Sequence, residues 1–177
     1  MHQQSNPLVR KGSWSIEAPM ETDASMIRTI AQNSRSLDVN STYAYLLCCS
    51  IFKRTTRVLR KQNIIGGFAT GLLKPDTPDE LFIWQVAVAE LAQGKGLGLA
   101  MILDIIRGEV SRGVRFVEAT VTPSNERSFR MFQKVATELR CPLNRTAGFK
   151  SELFGTESHP PEECIRIGPV DINSITP

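Results

Sequence analysis

The 177 residues are 41% hydrophobic and 22% charged, which suits one well-buried domain and is short for two. A formal charge of +3 and an isoelectric point near 8.8 are too mild for a nucleic-acid binder, which concentrates its basic residues on one face. The longest apolar helical run, "AYLLCCSIF", is too short to cross a bilayer, which argues against a membrane protein.

In chain order, the polar start "MHQQSNPLVRKGS" has no apolar signal-peptide core. Residues 1–12 therefore read as a disordered lead-in to a cytoplasmic domain spanning 13–170, with a tail at 171–177. "SWSIEAP" reads as a short strand. Glu21-Thr22-Asp23 then opens an amphipathic helix with Met26, Ile27 and Ile30 on one side, and "NSRSLDVNST" breaks it. A second helix is expected from about Tyr43 to Ile51, after an Asn40-Ser41-Thr42 stretch that can supply an N-cap.

"TTRVLRK" and "IIGGFATGLL" flank Gln62-Asn63 as a hairpin, so the basic stretch Lys53 to Lys61 reads as a solvated strand or loop. Leu81 to Ala89 is apolar on both faces except at Gln85, the pattern of a central strand covered on both sides. Leu97 to Val110 is a helix, and "VRFVEATVT" is a second buried strand. Pro123, Ser124 and Asn125 start the helix "NERSFRMFQKVATEL". Two last strands are expected near Phe149 to Phe154 and Glu163 to Ile167. Cys48, Cys49, Cys141 and Cys164 lack metal-ligand spacing and read as reduced, buried thiols. The order is that of an α/β protein (α+β mixed sheet), a central mixed β-sheet flanked by helices on both sides.

Between the central strand and its helix lies "ELAQGKGLGLAM". A glycine-rich turn that opens a helix leaves amide N–H groups without partners, and with the helix dipole they attract an anion. Neither G-x-x-x-x-G-K-[ST] nor G-x-G-x-x-G fits the spacing of Gly94, Gly96 and Gly98.

The spacing Gln93-x-x-Gly96-x-Gly98 resembles the pyrophosphate loop of the acetyl-CoA-dependent acetyltransferases of the GNAT superfamily, whose element order is also matched. The resemblance implies the GNAT acyl-CoA N-acyltransferase fold, acetyl-CoA as cosubstrate and no metal. It implies that the backbone around Gln93, Gly94, Lys95, Gly96, Leu97 and Gly98 holds the pyrophosphate. Val86 and Val88 would bond the pantetheine arm through their main chains, and the Val86 N–H would stabilise the oxyanion. Asn125 and Ser128 would face the cofactor, with helix capping as the competing role for Asn125. The family pattern then ends in Leu-Tyr, where the tyrosine serves as general acid. Here Met131-Phe132 stands at that point, and a phenyl ring cannot donate a proton.

"LDVNSTYAYLL", "LFIWQVAV", "GVRFVEATVTPSN" and "IRIGP" together resemble the L-2,4-diaminobutyrate acetyltransferases of ectoine biosynthesis, from about Trp14 to Pro169. That implies acetylation of the γ (N4) amine of L-2,4-diaminobutyrate in a cytoplasmic, homodimeric enzyme with no nucleic-acid or membrane partner. A diamino acid brings two ammonium groups and one carboxylate, so its pocket needs acids. The resemblance points to Asp38 as an ammonium ligand, although a loop acid can equally cap a helix. Tyr43 and Trp84 are aromatic walls for a cation or, on pattern alone, core residues. Glu118 is a base acting through water or a structural carboxylate. The acid cluster Glu157, Glu162 and Glu163 lies near His159, with Glu157 and His159 as substrate ligands and His159 also as proton acceptor. The alternatives are acetylation of another small amine and a non-catalytic CoA-binding module, which Phe132 keeps open.

Overall fold

The computed structural model describes residues 13–155 and 159–171. Its elements in chain order are β1 (Ser15–Glu17), α1 (Ala24–Ser34), α2 (Thr42–Ser50), β2 (Thr56–Lys61), β3 (Ile64–Leu73), β4 (Glu80–Val88), α3 (Leu97–Val110), β5 (Phe116–Val121), α4 (Glu126–Leu139), β6 (Leu143–Ala147) and β7 (Glu163–Ile167). The strands form one seven-stranded sheet in the order β1-β2-β3-β4-β5-β7-β6. Among the described residues β4 and β5 form the one parallel pair, and the other neighbours run antiparallel.

Strand alternation sends neighbouring side chains to two cores. On one face Val58 and Phe68 meet Ile27 and Ile30 of α1 and Tyr45 and Cys49 of α2. On the other, Leu59, Ala69 and Leu81 meet Met101, Ile102 and Ile106 of α3 and Val135 and Leu139 of α4. Each fully buried Ile or Leu contributes about 1.5–3 kcal/mol, so the two layers hold the sheet from both sides. The N-cap of α2 is Ser41, whose hydroxyl accepts from the Ala44 N–H at 3.2 Å. Cys48 and Cys49 are buried as free thiols, whereas Cys141 and Cys164 are half-buried, less than the sequence suggests.

Two expected elements differ. The strand placed at Phe149 to Phe154 is instead β6, at Leu143–Ala147, and Ser151–Phe154 is a short 3-10 turn. β6 is an exposed edge strand whose place is set by pairing with β7, not by apolar alternation. The central strand β4 is also not covered on both faces throughout. Trp84 is 36% exposed and Val86 and Val88 are half-buried, because this end of the strand lines a cleft.

Candidate active site

Two irregularities in β4 create that cleft. β4 pairs with β5 only from Glu80 to Phe82, opposite Phe116 to Glu118, and beyond that point no pairing continues. On its other side β4 pairs with β3, but the register jumps from Ile83 opposite Gly71 to Gln85 opposite Thr70. This one-residue bulge at Trp84 reverses the alternation of the strand. Leu81 and Ile83 therefore face the α3–α4 core, while Ala87 faces the α1–α2 core. The Ala89 N–H reaches Gly66 O of β3 at 2.8 Å, so by alternation the N–H groups of Val86 and Val88 point to the open edge. Gln93 Nε2 donates to the Val88 carbonyl at 2.8 Å and ties the glycine loop to this edge.

That loop is open backbone. Gly94 and Gly96 have φ of +76° and +69°, and a Cβ on either would meet nothing within 4 Å. The left-handed conformation favours glycine, and the empty space is where a bulky anion would fit. Gly96 caps α3 with no side-chain bond, and the Ala100 N–H is bonded to Gly96 O at 3.0 Å. The amides just before it lie at the positive end of the helix. A cleft of about 690 Å³ runs past these residues and past Arg127, Arg130 and Lys134 of α4. The donor set fits a pyrophosphate-bearing cofactor: bare amides, a helix N-terminus and cations.

A second cavity of about 470 Å³ adjoins the first, and the two share Ser36, Val86, Asn125, Ser128 and Met131. Its far wall is acidic. His159 Nε2 stands 3.6 Å from Asp38 Oδ2 and 3.9 Å from Glu162 Oε1. His159 Nδ1 donates to Pro160 O at 2.6 Å, which leaves Nε2 to face the two acids, and the ring stacks on Phe154 with centroids 4.0 Å apart. Burial pushes the Glu162 carboxyl above its ordinary value, against the lowering effects of His159 and of a hydrogen bond from Thr120. A carboxylate so placed is a stronger base than one in water.

Of the expected residues, Val86, Asn125 and Ser128 line both spaces, Asp38, Trp84, Phe132 and His159 line the second cavity, and Val88, Gln93, Gly94, Gly96, Leu97 and Gly98 line the first. Asn125 does both its jobs, because its Oδ1 also accepts from the Ser128 N–H at 3.1 Å. Lys95 lies in the loop but does not line the cleft. Tyr43 is 68% exposed and does not line the cavity. Glu118 is held by Lys74 at 2.9 Å and by Arg166, and it is absent from the cavity wall. This is the structural alternative for Glu118 rather than the base. Glu157 lies outside the described residues.

Sequence reasoning passed over Gln85, Arg35 and Tyr45, and gave Glu162 no role of its own. Gln85 was visible as the lone polar residue of an apolar strand, and Glu162 as a member of an acid cluster. Arg35 lines the cavity and carries the left-handed φ of 55° that ends α1, a feature with no sequence signal in a non-glycine residue.

Residues 27–136 match the family model described as "Acetyltransferase (GNAT) family". The L-2,4-diaminobutyric acid acetyltransferase of Nocardia farcinica is 40% identical over 161 residues, 91% of this chain and 83% of that protein. That of Streptomyces anulatus is 42% identical over 158 residues, 88% and 89% of the two chains. Among solved structures, the diaminobutyrate acetyltransferase EctA of Paenibacillus lautus, in complex with its substrate L-2,4-diaminobutyric acid and coenzyme A, superposes with a TM-score of 0.84. It is 33% identical and covers 89% of this chain and 96% of its own.

Proposed function

Because the chain belongs to the acetyltransferase (GNAT) family, and within it to the L-2,4-diaminobutyric acid acetyltransferases, we propose that its joined clefts acetylate the γ (N4) amine of L-2,4-diaminobutyrate. The protein is an acetyl-CoA-dependent diaminobutyrate acetyltransferase of the ectoine pathway, and its products are N4-acetyl-L-2,4-diaminobutyrate and CoA. The observation that carries the residue-level reading is the meeting of an anion-binding cleft and an acid-walled cavity at Val86.

On this reading the amides from Gln93 to Gly98, with the cations of α4, hold the pyrophosphate, and the open edge of β4 takes the pantetheine arm as an added strand. Acetyl-CoA supplies the activated acyl group. Asp38 binds an ammonium of the amino acid, Trp84 offers its ring face to the same charge, and Arg35 meets the carboxylate.

The reacting amine must be neutral. An alkylammonium with a pKa near ~10 costs about 4 kcal/mol to deprotonate at pH 7. Glu162, raised by burial, takes that proton from the ammonium, and His159 Nε2 stands beside it, 3.9 Å from Glu162 and 3.6 Å from Asp38. As the amine adds to the carbonyl, the Val86 N–H receives the charge on oxygen. Phe132 supplies no proton to the departing thiol, so water or the α4 N-terminal hydroxyl Ser128 serves there.

The domain boundaries 13–170, homodimerisation and a cytoplasmic location belong to the same proposal. Fractionation and light scattering check the last two. Among the described residues no helix is long and apolar enough to cross a membrane. The test of function is CoA-thiol release from acetyl-CoA with diaminobutyrate, run beside ornithine, lysine, spermidine and a short peptide, with NMR of the product. Turnover confined to diaminobutyrate with acetyl on N4 supports the reading. Preference for another amine overturns the substrate, and acetyl-CoA binding without turnover on any amine leaves a binding module.

A further inference from the structure

The bulge at Trp84 turns Gln85 toward α1 and α2, where its amide is held at both ends. Tyr45 of α2, fully buried, donates its hydroxyl to Gln85 Oε1 at 3.0 Å. Gln85 Nε2 donates to the Asp38 carbonyl at 2.7 Å. The Tyr45 oxygen in turn accepts the Asn40 N–H at 3.3 Å. The direction of every proton is fixed by chemistry. A backbone carbonyl can only accept and a backbone N–H can only donate, so the amide cannot flip without setting two acceptors against each other.

These bonds grip the loop between α1 and α2 at residues 38 and 40, two positions apart, from a buried base. Gln85 is 5% exposed, while the Asp38 side chain above it is 87% exposed. Leu37 packs this loop against the α1–α2 core, but Val39 is exposed and Asp38 stands out toward solvent, and few apolar contacts leave such a segment easily opened. The height of residues 38 to 40 over the cavity therefore depends on two buried side chains from distant parts of the sequence. The same height sets the 3.6 Å separation between Asp38 Oδ2 and His159 Nε2.

We infer that Gln85 and Tyr45 are positioning residues, a buried relay that fixes the Asp38 loop over the amino-acid cavity and so sets the enzyme's affinity for its diamino acid. The inference rests on the acetyl-transfer reading for its kinetic consequence, but the anchoring itself does not. Gln85 forms part of the cavity wall but is 5% exposed, with Oε1 turned to Tyr45 and Nε2 to the Asp38 carbonyl, so the relay is read as acting through Asp38.

The test compares Gln85→Leu and Tyr45→Phe with the wild type by hydrogen exchange and by steady-state kinetics. Tyr45→Phe keeps the ring packed edge-on to Phe68 at 6.0 Å between centroids, so it retains the core if Gln85→Leu does not fold. Exchange of the amides at 36–40 should accelerate at least tenfold in each variant, with β3 and α3 unchanged. The KM for diaminobutyrate should rise about tenfold, as expected for the loss of one or two buried hydrogen bonds. The KM for acetyl-CoA should stay within about twofold. In an Asp38→Ala background, Gln85→Leu should add less than about twofold to that KM.

Unchanged exchange at 36–40 overturns the anchor. A Gln85→Leu effect that is equal with and without the Asp38 side chain overturns the route through Asp38. A fall in kcat alone, with both KM values unchanged, marks a merely structural role and also overturns it. If the wild type does not turn over diaminobutyrate, the acetyl-transfer reading fails by itself, and the exchange result still decides the anchor.

Discussion

Two groups of acids lie along the β5–β7 pair, and they are partnered in opposite ways. At one end Glu80 and Glu118 share Lys74 and Arg166. Lys74 Nζ is 2.6 Å from Glu80 and 2.9 Å from Glu118, Thr77 donates to Glu80, and the Arg166 guanidinium sits over the Phe116 ring at 4.1 Å. At the other end Glu162 and Asp38 meet at His159 Nε2, at 3.9 and 3.6 Å. Burial works to raise the Glu80 carboxyl, but hydrogen bonds from Lys74, Arg166 and Thr77 outweigh it and bring it down to about 2. Among the described residues Glu162 pairs with no lysine or arginine, and burial leaves it raised. Buried carboxylates with satisfied charges hold strands together. Those left short of partners can bind a cation or accept a proton.

The largest expected break of this contrast is Glu162→Gln. Losing a general base should lower kcat by about 10²–10⁴, with the KM for acetyl-CoA unchanged. Because the folded pKa of Glu162 is raised, its stabilising contribution is full only below the ordinary glutamate value and is lost as pH rises through the raised one. The variant should therefore match or exceed the wild type in thermal midpoint at pH 7, measured by calorimetry.

Glu80→Gln should do the reverse, with a stability loss on the order of 2–3 kcal/mol in urea unfolding at pH 7 and little change in kcat. Its folded pKa is depressed, so the gap to the wild type should be full above about 4.5 and shrink as pH falls toward about 2. Asp38→Asn removes one charge from the cavity and should raise the KM for diaminobutyrate about tenfold in initial-rate assays, with kcat less affected. The smallest effect on activity belongs to Glu118→Gln, whose kcat should stay within about twofold. A large loss there would erase the distinction between the two ends.

The sequence made the fold legible where local pattern decides it. The helices α1, α3 and α4 announce themselves by period and caps, and the glycine loop by its spacing between β4 and α3. β6, "LNRTA", was not legible, because an exposed edge strand needs no apolar pattern and takes its register from β7. Tyr45 could not be told from Tyr43, since α2 is apolar around its whole circumference and gives no phase. Strict alternation would have put Trp84 and Val86 on one side of β4, and the bulge between Ile83 and Gln85 breaks it. Nor could the sequence show that Glu118 meets Arg166, 48 residues later, rather than the cavity.

The most direct test of the whole account is the pH dependence of kcat/KM for diaminobutyrate in the wild type and in Glu162→Gln. The account predicts an acidic limb in the wild type, falling above the ordinary glutamate range, and its disappearance from the residual activity of the variant. The same limb retained in Glu162→Gln, at undiminished rate, would contradict it.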